Sequence, residues 1–120
     1  MDELAKEIEK ELGLYADHVT EKVKKAVDTI SKETVSELKA SSPNRFGKYA
    51  KDWAAGNRYE SHRTKRTTVY NKKRYQLTHL LENGHAKRGG GRVGAKVHIE
   101  PAEANAITKL EKAIKEAAKG

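Results

Sequence analysis

Cysteine is absent from this chain, which excludes disulfides and thiolate metal sites. That fits an intracellular protein. Long apolar runs are absent too, and nothing approaches the roughly 18 residues that a membrane-spanning helix needs. The opening residues, MDELAKEIEKEL, are charged throughout and lack the apolar centre of a secretory signal. Apolar residues make up only 36% of the 120, against 35% charged, and mean hydropathy is −0.90. This length predicts a single domain, residues 1–120, with a thin core. Association with other chains is therefore an expected source of stability. Proline occurs twice, at Pro43 and Pro101, so each is expected to mark a boundary.

Charge is abundant and unevenly spread. Residues 1–40 carry 7 Lys/Arg and 10 Asp/Glu, net −3, and residues 41–100 carry 14 and 4, net +10. The last twenty residues carry 4 and 3. A basic middle of this kind attracts polyanions or an acidic protein face, or it serves only as a solvated, solubilising surface.

From Leu4 to Leu38 the apolar residues recur at steps of three and four: Leu4, Ile8, Leu12, Tyr15, Val19, Val23, Val27, Ile30 and Leu38. Thr34 fills the same stripe. The pattern predicts a long helix over residues 1–40, with a break near Gly13 as the alternative. About 35 residues of helix span roughly 53 Å, too long for a small globule to cover alone. Part of the helix is expected to meet another subunit. The contrasting expectation is a helix lying across a small sheet and fraying over residues 1–11.

Ser41 to Asn44 should end the helix, because Pro43 disfavours helix at Ser42. Arg45-Phe46-Gly47 reads as a turn. Tyr49 to Ala55, with the only tryptophan at Trp53, reads as a strand, Gly56-Asn57 as a turn, and Thr67 to Tyr70 as a second strand. Tyr49, Trp53 and Val69 are the expected core positions of this sheet. The basic sheet region spans 45–100 and includes a short helix over 75–82, from Leu77, Leu80 and Leu81, stopped by Asn83-Gly84 with Gly84 in the left-handed position. Residues 85–88 and 93–99 flank Gly89-Gly90-Gly91, which predicts a hairpin tip, with Val97 and Ile99 on one strand face. Pro101 suits the first position of a terminal helix over 101–118, where Ile107, Leu110 and Ile114 recur at three and four.

Chemistry-bearing patterns are weak. Gly84 to Gly89 has the glycine spacing that opens a phosphate loop, but Gly90 and Gly91 stand where Lys and Ser/Thr are required. Lys87, Arg88 and Arg92 around Gly89, Gly90 and Gly91 instead suit a basic finger that meets phosphates or carboxylates. Of the five histidines, no pair has helical i, i+4 spacing, and a zinc site needs three or four converging ligands. His79 and His98 are expected to make structural hydrogen bonds. No catalytic residue, metal site or cofactor is nominated. Tyr49, Trp53, Tyr59, Tyr70 and Tyr75 interleave with Arg and Lys, a mixture that stacks on single-stranded bases or else fills a core.

Five ordered blocks carry a resemblance. They are Ser42-Pro43-x-Arg45-x-Gly47-x-Tyr49-Ala50-Lys51-x-Trp53; Val69-Tyr70-Asn71; Leu77-Thr78-His79-Leu80-Leu81-Glu82-x-Gly84-His85; Gly90-Gly91-Arg92-Val93; and His98-Ile99-x-Pro101-Ala102. Together they resemble the tail-component family of long-tailed bacteriophages and prophages, across roughly residues 1–118. Phe46 stands where that family commonly has Thr, and Asn83 where it commonly has an aromatic residue. The resemblance implies an α+β fold, with a long N-terminal helix and a C-terminal helix packed on a small antiparallel β-sheet, plus a short helix and a Gly-rich hairpin loop. It implies a structural protein of the head–tail junction, a neck or tail-completion protein, without enzyme activity or cofactor. Its expected partners are like subunits in a ring and phage connector and tail-terminator proteins, with non-specific DNA contact and no membrane. Its expected location is the virion neck or tail, and the bacterial host cytoplasm during assembly. The alternative is a small basic nucleic-acid-binding protein.

Overall fold

The computed structural model describes residues 2–43 and 48–119, without the side chains of Asp2 and Tyr75. The expected Arg45-Phe46-Gly47 turn lies outside the described residues. The fold is α+β: a long N-terminal helix carries a small antiparallel sheet and a C-terminal helix packed along it.

Helix α1 runs Asp2–Ser41. It passes through Gly13 without a break, and the sequence around Gly13 supplies enough helix formers to absorb the ~1 kcal/mol that glycine costs. A single turn, α2, Lys48–Lys51, leads into strand β1, Trp53–Glu60. Strand β2, Lys65–Asn71, pairs antiparallel with β1, from Trp53 opposite Asn71 to Glu60 opposite Lys65. A register shift between Asn57 and Tyr59 marks a bulge.

Two expectations need correction here. Tyr49 lies on α2, not on a strand. Gly56-Asn57 is not a turn but the interior of β1, and the chain reverses over Ser61–Thr64, where Ser61 N–H donates to Thr64 C=O at 2.8 Å. The glycine has a packing reason: the Tyr70 ring crosses it, 3.4 Å from where a Cβ would sit.

Helix α3, Tyr75–Asn83, is followed by two two-residue strands, β3, His85–Ala86, and β4, Arg92–Val93. These form a second sheet separate from the first, so the glycine hairpin is not an extension of the β1–β2 edge. Gly84 has the expected positive φ of 74°, but ψ of 176° places it in the extended glycine-only region rather than the left-handed helical one. A Cβ there would meet the Val93 carbonyl oxygen at 2.5 Å. The expected strand over 93–99 stops at Val93: residues 94–98 are irregular, Val97 is exposed, and Ile99 is already helical.

Helix α4, Ile99–Ala118, returns antiparallel along α1, joined by Lys109 to Glu33 at 2.9 Å, by Asn105 to Glu37 and by the Tyr15 hydroxyl to the Ala118 carbonyl. Pro101 is thus the third helical residue rather than the first. Its missing N–H still costs nothing, because the first four donors of a helix, counted from the N-cap, have no intrahelical partner.

The molecule is a rod of 79 × 22 × 21 Å. Its core is small and sits at one end, where Leu38, Tyr49, Trp53 and Ala102 are buried with Val35, Val69, Leu81 and Ile99 packed against them. Thr34 is buried with its hydroxyl donating to Ile30 C=O at 2.8 Å, so the polar residue in the apolar stripe is satisfied.

Candidate assembly surfaces

His98 is the hub of the buried end, at 2% exposure. Its Nδ1 lies 2.7 Å from the Lys96 carbonyl oxygen, which can only accept. Nδ1 is therefore assigned as the protonated nitrogen, and Nε2 accepts from the Tyr49 hydroxyl at 2.8 Å. The rings of Tyr49, Trp53 and His98 meet edge to face, with centroids 5.5 to 6.3 Å apart. Trp53 Nε1 donates to Ser42 Oγ at 2.8 Å, tying the end of α1 to β1. Asn71 donates to the Tyr49 carbonyl and accepts from Arg74 N–H, both at 2.8 Å, tying β2 to α2. Burial, followed by the nearby Glu82 charge, pushes the Tyr49 phenol up to about 12.

Glu82 closes this end. Its carboxylate accepts from the backbone N–H groups of His98, Ile99 and Glu100, each at 2.9 Å. With Pro101 lacking an N–H, all four orphan donors of α4 are accounted for. Partial burial pushes the Glu82 pKa up, but the three backbone hydrogen bonds and His98 outweigh it and hold the carboxyl below its usual range. Lys96 N–H also donates to Leu81 C=O at 2.6 Å. The chain on both sides of the hairpin is thereby pinned to the hub, and the hairpin projects from a fixed base.

The hairpin itself is closed by Lys87 N–H to Gly91 C=O at 2.9 Å, with positive φ at Gly90 and Gly91. Lys87, Arg88, Gly89, Gly90, Gly91 and Arg92 are all exposed, and Arg92 donates back to the Asn83 carbonyl at 3.3 Å. Among the other sequence candidates, Trp53 and His98 are brought together in the hub, Gly84 shapes the exit from α3, Pro101 completes the α4 start, and His79 is exposed on α3. Glu82, Ser42 and Asn71 stand in the family-like blocks, but no local pattern marks them as site residues. Glu82 caps a helix start 16 to 18 residues away, a spacing no local motif encodes. Among the described residues, no group of three or more His, Cys, Asp or Glu is placed to hold a metal ion, and no helix is long and apolar enough to cross a membrane.

Two exposed surfaces remain. The outer face of the β1–β2 sheet is basic and aromatic: Arg58 lies over the Tyr70 ring at 5.5 Å, and Tyr59 pairs with Arg66. Its inner face is tied to α1 by Lys65 to Asp28 at 2.8 Å and Lys24 to Glu60 at 3.4 Å, with His62 to Asp17 at 2.9 Å at the tip. The Asp28 carboxylate holds the Lys65 ammonium above its usual pKa, and Asn57, then Lys24 and Lys65, holds Glu60 below. The second surface is apolar: Leu4, Ile8 and Leu12 are 65%, 50% and 63% exposed, and Tyr15, Ile107 and Ile114 are also open.

Comparison with known proteins gives one family match. The family model described as "Bacteriophage HK97-gp10, putative tail-component" matches residues 6–84, which take in α1, the β1–β2 sheet and α3. Neither the curated proteins nor the solved structures contain a match.

Proposed function

We propose, from the premise that this chain belongs to the HK97-gp10-like family of phage tail components, that it builds the head–tail junction as a ring of like subunits. That it is a tail-related structural protein of the virion follows from the family. The finer role, as neck or tail-completion protein without enzyme activity, is our reading. One observation carries it: the molecule is a rod that leaves the N-terminal part of its apolar stripe uncovered.

Its accessible surface is 9015 Å². A compact protein of this mass exposes about 6,500 Å². The excess is apolar in part, along Leu4, Ile8 and Leu12, and a contiguous exposed apolar stripe of that kind marks an interaction surface. A ring of subunits supplies neighbours on both sides of each copy. Connector and tail-terminator proteins are the proposed partners above and below, and the basic hairpin at Lys87–Arg92 is the proposed reaching element. Its setting, rigid at the base and exposed at the tip, supports that role. Assembly would take place in the bacterial host cytoplasm before the protein resides in the neck.

Deletion of the gene in a producing phage, followed by electron microscopy, tests the reading. Separate filled heads and free tails are expected, with joining restored by the gene in trans. Normal tailed particles at normal yield would sink it. A second reading, a small basic nucleic-acid-binding protein, is favoured by the Arg58, Tyr59, Arg66 and Tyr70 face. Tight DNA binding with a steep salt slope, abolished by Arg58→Ala with Arg66→Ala, would support it over the first.

A further inference from the structure

We propose that the N-terminal arm of α1, residues 2–14, seats in the channel between β2 and α4 of a second copy of this chain. The inference rests on the ring reading and names the surfaces that would build it.

The arm begins where α4 ends. Tyr15 bonds the Ala118 carbonyl, so the residues before it extend beyond the partner helix. Leu4, Ile8 and Leu12 fall at steps of four and form one stripe along the arm. Glu3, Glu7 and Glu11 each precede a member of that stripe by one residue and form a carboxylate row on its flank. From Glu3 to Leu14, four Glu face only two Lys.

The channel is largely apolar, with Glu103 on its α4 side and a basic opposite side. Two adjoining hollows of about 380 and 180 Å³ share Val27 as a common wall. Val19, Val23, Val27 and Ile30 of α1 form the floor, and Ile107 and Leu110 of α4 form one side. On the other side Arg63, at the turn before β2, has no acidic partner among the described residues. An acidic amphipathic helix therefore matches the channel twice, by its apolar stripe along the floor and by its carboxylate row toward Arg63. The arm cannot fill its own channel, because it continues the same unbroken helix that forms the floor. A second copy supplies such an arm, and an arm-to-channel contact of this kind, repeated head to tail, closes into rings.

The areas agree. Surface exceeds that of a compact protein by about 2,500 Å². A subunit in a head-to-tail ring contributes about 800 Å² at each of two contacts. The excess covers both.

Because the natural chain has no cysteine, disulfide trapping reads the contact directly. Full-length Ile8→Cys and Ile107→Cys proteins are mixed and oxidised gently. A mixed dimer is expected, and the Ile8→Cys/Ile107→Cys double variant should form a ladder beyond dimer. Arg63→Glu should cut the yield about tenfold, and Glu7→Lys with Glu11→Lys in the partner should restore it. That restoration separates a lost contact from a misfolded variant. Ile8→Cys dimerising alone as well as in the mixture would overturn the proposal in favour of arm-to-arm packing. Absence of any cross-link up to millimolar protein would also overturn it. Neither result touches the particle-joining test, which stands or falls on free heads and tails.

Discussion

Replacing Glu82 tests the hub most directly. In Glu82→Ala, the N–H groups of His98 and Ile99, both partly buried, lose their acceptor, while Glu100 N–H regains water. Two partly buried donors cost about 1 kcal/mol each. Loss of a carboxylate at a helix N-terminus adds about 0.5–1 kcal/mol. The total is about 3 kcal/mol, or about 12 °C in Tm for a chain of this size. Glu82→Gln keeps one acceptor oxygen and should lose about 1 kcal/mol. The charge makes the effect pH-dependent. Glu82 titrates lower in the folded chain than its ordinary value of 4.5, so its stabilisation is complete above 4.5 and is lost as pH falls through the lower folded value. Thermal unfolding followed by circular dichroism at pH 7 and at pH 3 checks both points. The gap between wild type and Glu82→Gln should narrow at the acid end. A Glu82→Ala protein as stable as wild type, or a gap indifferent to pH, would refute the capping argument.

Three further perturbations have worked directions. Gly84→Ala should destabilise by about 2 kcal/mol or more in denaturant melts, because a side chain is strained at that φ and its Cβ meets the Val93 carbonyl; a neutral effect would contradict the hairpin geometry. Gly13→Ala should stabilise by up to ~1 kcal/mol, since nothing lies within 4 Å of the added Cβ in an unbroken helix; a loss of helicity would show that the helix does break there. Tyr49 holds its proton to about 12 when folded against 10.0 ordinarily, so its contribution is intact below pH 10 and is lost as pH rises toward 12. Phenolate absorbance should show one tyrosine titrating late, and Tyr49→Phe should remove that step.

Legibility in the sequence followed the range of the forces involved. The two long helices were readable because apolar residues recur every three or four positions over many turns, as from Leu4 to Leu38 and from Ile107 to Ile114. The hairpin was readable because three glycines admit the positive φ seen at Gly90 and Gly91. The extent of strand β1 is not legible because Gly56-Asn57 is a local turn signal, and the Tyr70 ring lying across Gly56 is a contact that no local pattern records. The same holds for residues 94–98, where β-branched Val97 and Ile99 suggested a strand but Glu82 captures the N–H groups that such a strand would use.

By itself, then, the sequence determined the helical periods, the acid-to-basic division between residues 1–40 and 41–100, the hairpin and the family pattern, because each is carried by neighbours along the chain. The tertiary structure alone decided that α4 lies antiparallel on α1 but stops short of Leu4, Ile8 and Leu12, and that Tyr49, Trp53 and His98 meet in one hub. Those facts depend on contacts between residues dozens of positions apart, whose geometry no local period records.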